Sequence, residues 1–201
     1  MTTLLIREDM PAAARLSLPE LSDDDFFAFC RENRDYRIER TAEGVIVVMA
    51  GTGGKTGNRN AALTAQLYTW AVRDKRGIVY DSSTLFKLPN TAMREPDAAW
   101  VLRTRLEGLT EAQKERWMPL CPDFVVELTS PSHQLGEVQE KMREWMANGC
   151  RFGWILHPPK RETHVYRTSG VQIHRGLTEL SGEGPVEGFL LDLAPIWDPG
   201  W

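Results

Sequence analysis

Apolar positions along the chain switch repeatedly between a spacing of three to four residues and a spacing of two, the signature of helices interleaved with strands. In LPELSDDDFFAFCREN, Ser22 stands three residues before Asp25, and Phe26, Phe27 and Cys30 follow at helical spacing. This predicts a capped helix over residues 23–33. YRIERTAEGVIVVMA reads as two strands around a Thr-Ala-Glu-Gly turn, a hairpin with a β-branched second arm. Leu63, Leu67, Trp70 and Ala71 share one face of a long helix that Gly77 is expected to end. GIVYDSSTLFKLP, alternating at Ser82, Thr84, Phe86 and Leu88, and DAAWVL then read as two paired strands.

Thr110 and Gln113 have the spacing of a capping box and predict a short surface helix before Pro119 and Pro122. DFVVELTS is a short strand, apolar on both faces, that carries one acid in its middle. In HQLGEVQEKMREWMANG the residues Leu135, Val138, Met142, Trp145 and Met146 form a helical stripe, and Gly149 supplies the stop. FGWILHP, THVYR, VQIHR and GFLLDL complete the chain as strands. The expected fold class is α/β, a mixed sheet flanked by helices with an N-terminal helix and β-hairpin. It forms one domain over residues 18–201 behind an extension at 1–17.

Composition changes this picture little and charge changes it more. With 201 residues, 42% hydrophobic and 26% charged, the chain is an ordinary globular one. No apolar run approaches the roughly 18 residues of a membrane span, so a cytoplasmic protein is expected. Cys30, Cys121 and Cys150 form no CxxC pair, which indicates neither a disulfide framework nor a thiolate zinc site. His133, His157, His164 and His174 lack the helical spacing of an HExxH site. The net charge of -4 argues against a constitutive DNA binder. A local basic rim is still open to Lys55, Arg59, Lys87, Arg94, Arg103 and Arg105, of which Lys87 is a candidate substrate contact.

The acid in DFVVELTS is Glu127, flanked by Val125, Val126 and Leu128. A carboxylate buried there must be protonated, ion-paired or bound to a metal, because an unpaired buried charge costs several kcal/mol. Asp97 begins the apolar run DAAWVL directly after Pro96, so a second strand also offers one acid. If the two strands are neighbours, the pair could hold magnesium or manganese with water completing the shell.

The residues EPDAAWV, PDFVVELTSPS and EKMREWMANGCRFGWILHP resemble, in that order, the Uma2 family of nuclease-like proteins with the restriction-endonuclease-like PD-(D/E)XK fold. YRIERTAEGVIVVMA, TGGKTGNRN, GIVYDSSTLFKLPN and GFLLDLAPIW extend the resemblance from about residue 18 onward. It implies a metal-dependent endonuclease acting on phosphodiester bonds of DNA, with Asp97 and Glu127 as ligands of Mg2+ or Mn2+. It also implies a homodimer, for which seven tryptophans offer interface anchors. The family's lysine two residues after the strand acid is replaced by Thr129. The resemblance points instead to Lys141 on the following helix, three residues after Val138 and four before Trp145. There it would orient the attacking water or stabilise charge on the phosphate; the alternative is a lysine whose stem covers apolar neighbours.

Glu39 in the hairpin is a further catalytic candidate, against the alternative of a surface cross-strand pair. Asn60, on the inward face of its helix, is a candidate substrate contact through its amide. A second function for the whole chain, a non-catalytic nucleic-acid-binding or self-assembling module on the same fold, is favoured by the missing lysine and the acidic charge.

Overall fold

The computed structural model describes residues 13–16, 21–49, 51–130 and 134–200. β1 (Ala13–Leu16) falls within the stretch expected as an extension; it pairs antiparallel with the hairpin's second arm. α1 (Asp23–Glu32) follows, its N-terminus capped by the Ser22 hydroxyl, which accepts the Asp25 N–H at 3.1 Å. β2 (Arg37–Arg40) and β3 (Ile46–Met49) form the expected hairpin. The long helix is α2 (Gly54–Asp74).

β4 (Gly77–Tyr80), β5 (Phe86–Lys87), β6 (Met93–Arg94) and β7 (Ala98–Leu102) follow. Next come α3 (Glu111–Lys114), with its capping box formed, and β8 (Phe124–Leu128), buried along its whole length. α4 (Leu135–Ala147) leads to β9 (Phe152–His157), β10 (Glu162–Arg167) and β11 (Gly170–Arg175). β12 (Glu179–Ser181), β13 (Leu190–Asp192) and α5 (Ala194–Trp197) finish the chain. Ser132 and His133 lie outside the described residues.

Among the described residues the strands form a five-stranded sheet in the order β1-β3-β2-β6-β5 and a six-stranded sheet in the order β11-β10-β9-β8-β7-β4. β12 and β13 pair separately. The six-stranded sheet is mixed because β8 and β9 run parallel while its other pairs are antiparallel. α4 is the crossover between β8 and β9, as a parallel pair requires.

Alternation along β8 explains how this sheet is covered on both sides. Phe124, Val126 and Leu128 join Leu63, Leu67 and Trp154 in one cluster beneath α2. Val125 joins Val138, Met142 and Trp145 in another beneath α4. A third cluster sets Phe26 and Phe29 of α1 against Ile38, Ile46 and Val48 of the five-stranded sheet.

Two expectations change. GIVYDSSTLFKLP is not one strand: β4 pairs with β7 in the large sheet, while β5 turns away to pair with β6 in the other. The break falls where Asp81 accepts bonds from the Ser83 N–H and hydroxyl, a side-chain-stabilised turn. Gly77 does not stop α2 either, because Lys75 already does so in the left-handed conformation at φ 64°. Gly77 instead lies in β4 against the indole of Trp100, where an added Cβ would come 2.1 Å from Cε2.

Gly77→Ala is therefore expected to destabilise by about 1–3 kcal/mol through overpacking. Gly57→Ala, at a helical position where a Cβ meets nothing within 4 Å, is expected to stabilise by up to about 1 kcal/mol. Calorimetric melting of the two variants should move Tm in opposite directions.

Candidate active site

Period-two alternation in β2 sends Ile38 into the core under α1 and leaves Arg37 and Glu39 together on the other face, which opens on a cleft. The cleft has a volume of about 560 Å³, and its lining includes Arg37, Glu39, Arg94, Asp97, Glu127 and Lys141. The two acids come from the residue just before β7 and from β8. The pairing of Ala98 with Val126, continued by the Asp97 N–H to the Val126 carbonyl at 3.1 Å, brings Asp97 level with Glu127 on adjacent strands.

Each acid is held by its own partners. Asp97 Oδ2 accepts the Leu128 N–H at 2.7 Å, and its Oδ1 accepts from Arg37 Nη1 and Asn60 Nδ2, both at 3.2 Å. Glu127 Oε1 accepts the indole N–H of Trp145 at 2.8 Å and lies 3.1 Å from Lys141 Nζ. Lys141 and Trp145, one helical turn apart on α4, thus converge on one carboxylate. Lys141 Nζ also meets Glu39 Oε1 and the Glu95 carbonyl, each at 2.7 Å. Glu39 is tied further by Arg94 Nη1 at 3.0 Å and the Glu95 N–H at 3.1 Å, and Arg94 Nε reaches Glu144 at 2.5 Å.

Asp97, Glu127, Lys141 and Glu39 are therefore brought together, with Asn60 against Asp97. Lys87 is not: its ammonium pairs with Asp23 on α1, and Lys87 is absent from the cleft lining. Thr129, where a lysine would follow the strand acid, is buried with its hydroxyl 2.7 Å from His157 Nδ1. Arg37, Glu95 and the polar role of Trp145 escaped the sequence reading. Arg37 had a legible signal, since it precedes Glu39 by two residues and so shares its face. Trp145 had none, because its spacing marks it equally well as plain core.

Burial is the largest influence on Glu127, Glu95, Glu39 and Lys141. It raises the Glu127 carboxyl to about 7 with the help of Asp97 and Glu39, against the pull of Lys141. Burial likewise raises Glu95 to about 7 despite Arg37. For Glu39 burial acts upward too, but Lys141, Arg94 and Arg37 overcome it and hold the carboxyl at about 2. Burial works against the Lys141 charge and is outweighed by Glu127 and Glu39, so its pKa is raised.

The donor set suits a hard divalent cation. Its acids offer only oxygen, and five carboxylates (Glu39, Glu95, Asp97, Glu127, Glu144) face three cations (Arg37, Arg94, Lys141). When all are ionised the cluster carries an excess of two negative charges. Beside Asp97 the Asn60 Oδ1 is buried without a hydrogen-bond partner. Among the described residues no three His, Cys, Asp or Glu side chains form a ready cage. Magnesium, which keeps several waters, needs only one or two carboxylates.

Fold and site together define an α/β domain with two acids set side by side at a cleft. The sequence matches the Uma2 family, described as "Putative restriction endonuclease", over residues 23–194, and the chain belongs to that family. Among solved structures it is similar to a protein from Anabaena variabilis ATCC 29413, described as "a putative nuclease belonging to DUF820". The two are 15% identical, with a TM-score of 0.67 over 80% of this chain and 89% of that one. No curated protein matches the chain. No helix among the described residues is long and apolar enough to cross a membrane.

The shifted carboxyls carry a pH signature. Glu127 and Glu95 have folded-state values of about 7, above the ordinary 4.5. Their contribution to stability is thus complete below about 4.5 and is lost as pH rises through about 7. Glu39, held at about 2, acts in reverse: its contribution is present above about 4.5 and is lost as pH falls through about 2. In a chelator-containing buffer, Glu127→Gln should gain Tm relative to the native protein between about pH 4.5 and about 7. A difference in Tm that stays flat with pH would show that Glu127 is not raised.

Proposed function

We propose that the chain is a divalent-cation-dependent endonuclease that hydrolyses phosphodiester bonds of DNA, with Asp97 and Glu127 as ligands and Lys141 as the cation at the reacting phosphate. The observation that carries this reading is the Lys141 ammonium 3.1 Å from Glu127, which itself stands level with Asp97 on the neighbouring strand. Magnesium or manganese bound by the pair would polarise a phosphoryl oxygen and lower the pKa of its water.

The chain's own groups prepare the site for this. Trp145 and the Leu128 N–H fix the orientations of the two carboxylates. Glu39 and the Glu95 carbonyl fix the ammonium of Lys141. From there Lys141 orients the attacking water or stabilises charge on the scissile group. Glu39 is a positioning residue in this reading, and Asn60 steadies Asp97 while offering its free Oδ1 to a ligand. Glu43, Glu137 and Glu140 also line the cleft, so a polyanion enters it only with a cation's help.

The second reading is a non-catalytic nucleic-acid-binding or self-assembling module. Val171 and Ile173, exposed on the edge strand β11, favour it and would also serve a homodimer. Two measurements separate the readings. Calorimetric titration with manganese should give heat with the native chain and none with Asp97→Ala. Magnesium-dependent nicking of supercoiled plasmid should fall by about 10²–10³ in Lys141→Met and vanish in identically purified Glu127→Ala. No heat from the native chain sinks the metal site; heat with undiminished nicking in Glu127→Ala assigns the activity to a contaminant.

A further inference from the structure

The guanidinium of Arg37 is fastened at three points. Nε donates to Glu95 Oε2 at 3.2 Å, Nη2 to the Glu95 carbonyl at 3.0 Å, and Nη1 to Asp97 Oδ1 at 3.2 Å. Two of these anchors belong to Glu95, so the arginine keeps its place if Asp97 takes another partner. Asp97 in turn does not depend on Arg37 alone, since the Leu128 N–H and the Asn60 amide also reach it. A guanidinium has five N–H donors, and three are accounted for here.

Arg15 also lines the cleft but faces Glu137 at 3.8 Å, not the acid pair, and the two cations beside the acids are less available. Lys141 has three donors on its ammonium, and these face Glu39, Glu127 and the Glu95 carbonyl. Arg94 bridges Glu39 and Glu144, away from the acid pair. Arg37 lines the cleft, retains free donors, and has as its third partner an acid that a divalent cation would also bind. Burial works against its charge, but Asp97 and Glu95 outweigh it and keep the guanidinium ionised.

We propose that Arg37 is an exchangeable counter-ion: it holds Asp97 in the ion-free protein, and when a divalent cation takes Asp97 it turns its Nη edge to the non-bridging oxygens of the substrate phosphodiester. Glu95 is the positioning residue that keeps the guanidinium at the site throughout. A planar guanidinium suits the task because its parallel N–H groups match two phosphate oxygens, which an ammonium cannot do. The exchange also eases the crowding of negative charge, since the cation neutralises the carboxylates while the released arginine pairs with the phosphate.

This inference rests on the function proposed above, and its test has two readouts, neither of them turnover. Manganese affinity is measured by calorimetry. Affinity for a fluorescein-labelled DNA duplex is measured by anisotropy in saturating manganese. Arg37→Gln should bind manganese about tenfold more tightly than the native chain, because the rival for Asp97 is gone, and bind the duplex about tenfold more weakly. Arg37→Lys keeps the charge without the fork, so its manganese affinity should stay near the native value while duplex binding still falls.

A merely structural role for Arg37 predicts the opposite sign for the metal: manganese binding weakens along with Tm. Unchanged or weaker manganese binding in Arg37→Gln overturns the exchange, and unchanged duplex binding overturns the phosphate contact. If the native chain takes up no manganese, the Asp97–Glu127 metal site falls and the exchange falls with it. If the native chain binds manganese and the variant is no tighter, only the exchange falls.

Discussion

A carboxylate in the middle of a strand buried on both faces has to be neutralised from outside its own sheet, and Glu127 is neutralised from α4. Lys141 and Trp145, four residues apart, supply an ammonium and an indole N–H to the same group. Because Lys141 reaches Glu39 as well, the contact ties three units into one network: β8 of the large sheet, β2 of the smaller sheet, and the helix between β8 and β9. An acid stranded there without partners would cost several kcal/mol, so the position of α4 and the chemistry of the cleft are set by the same contact.

That network is crowded, and crowding is what spreads its carboxyls apart in acidity. Glu127 and Glu95 are pushed up to about 7, while Glu39, nearer the cations, is held at about 2. Carboxylates of one chemical type are thus separated by environment into groups that give up protons near neutrality and one that stays ionised. The excess negative charge suits the divalent cation of the proposed function, and the arginine and lysine already present mark where positive charge is stable. In the proposed function the lysine missing after the strand acid is supplied from α4. Thr129 is buried against His157, and the ammonium arrives from a helix instead.

The fold supplies the frame at little local cost. The side-chain-stabilised turn at Asp81 carries the chain from one sheet to the other, and the Ala98–Val126 register brings the acids level. Gly77 leaves room for Trp100, whose ring lies in the same cluster as Ala98 and Val126, so packing beneath the site depends on one absent Cβ.

Much of this was legible in the residues themselves. The caps at Ser22 and Thr110, the hairpin around residues 41–44, the stripe of α4 and the doubly buried strand around Glu127 are local patterns, decided by side chains within a few positions of one another. The same locality exposed Asp97, Glu127 and Glu39 as acids in strands and placed Lys141 on the edge of the buried stripe. Other features depended on distant pairing. No local rule says that β5 leaves the sheet of β4, that Lys87 meets Asp23, or that Trp145 turns its N–H to an acid. Gly77 misled for this reason: a glycine after a helix signals a stop, whereas its real constraint is an indole more than twenty positions away. By itself the sequence determined which elements form and which acids have to be neutralised. The tertiary structure decided which cation neutralises each of them, because ion pairing depends on distance in space and not on separation along the chain.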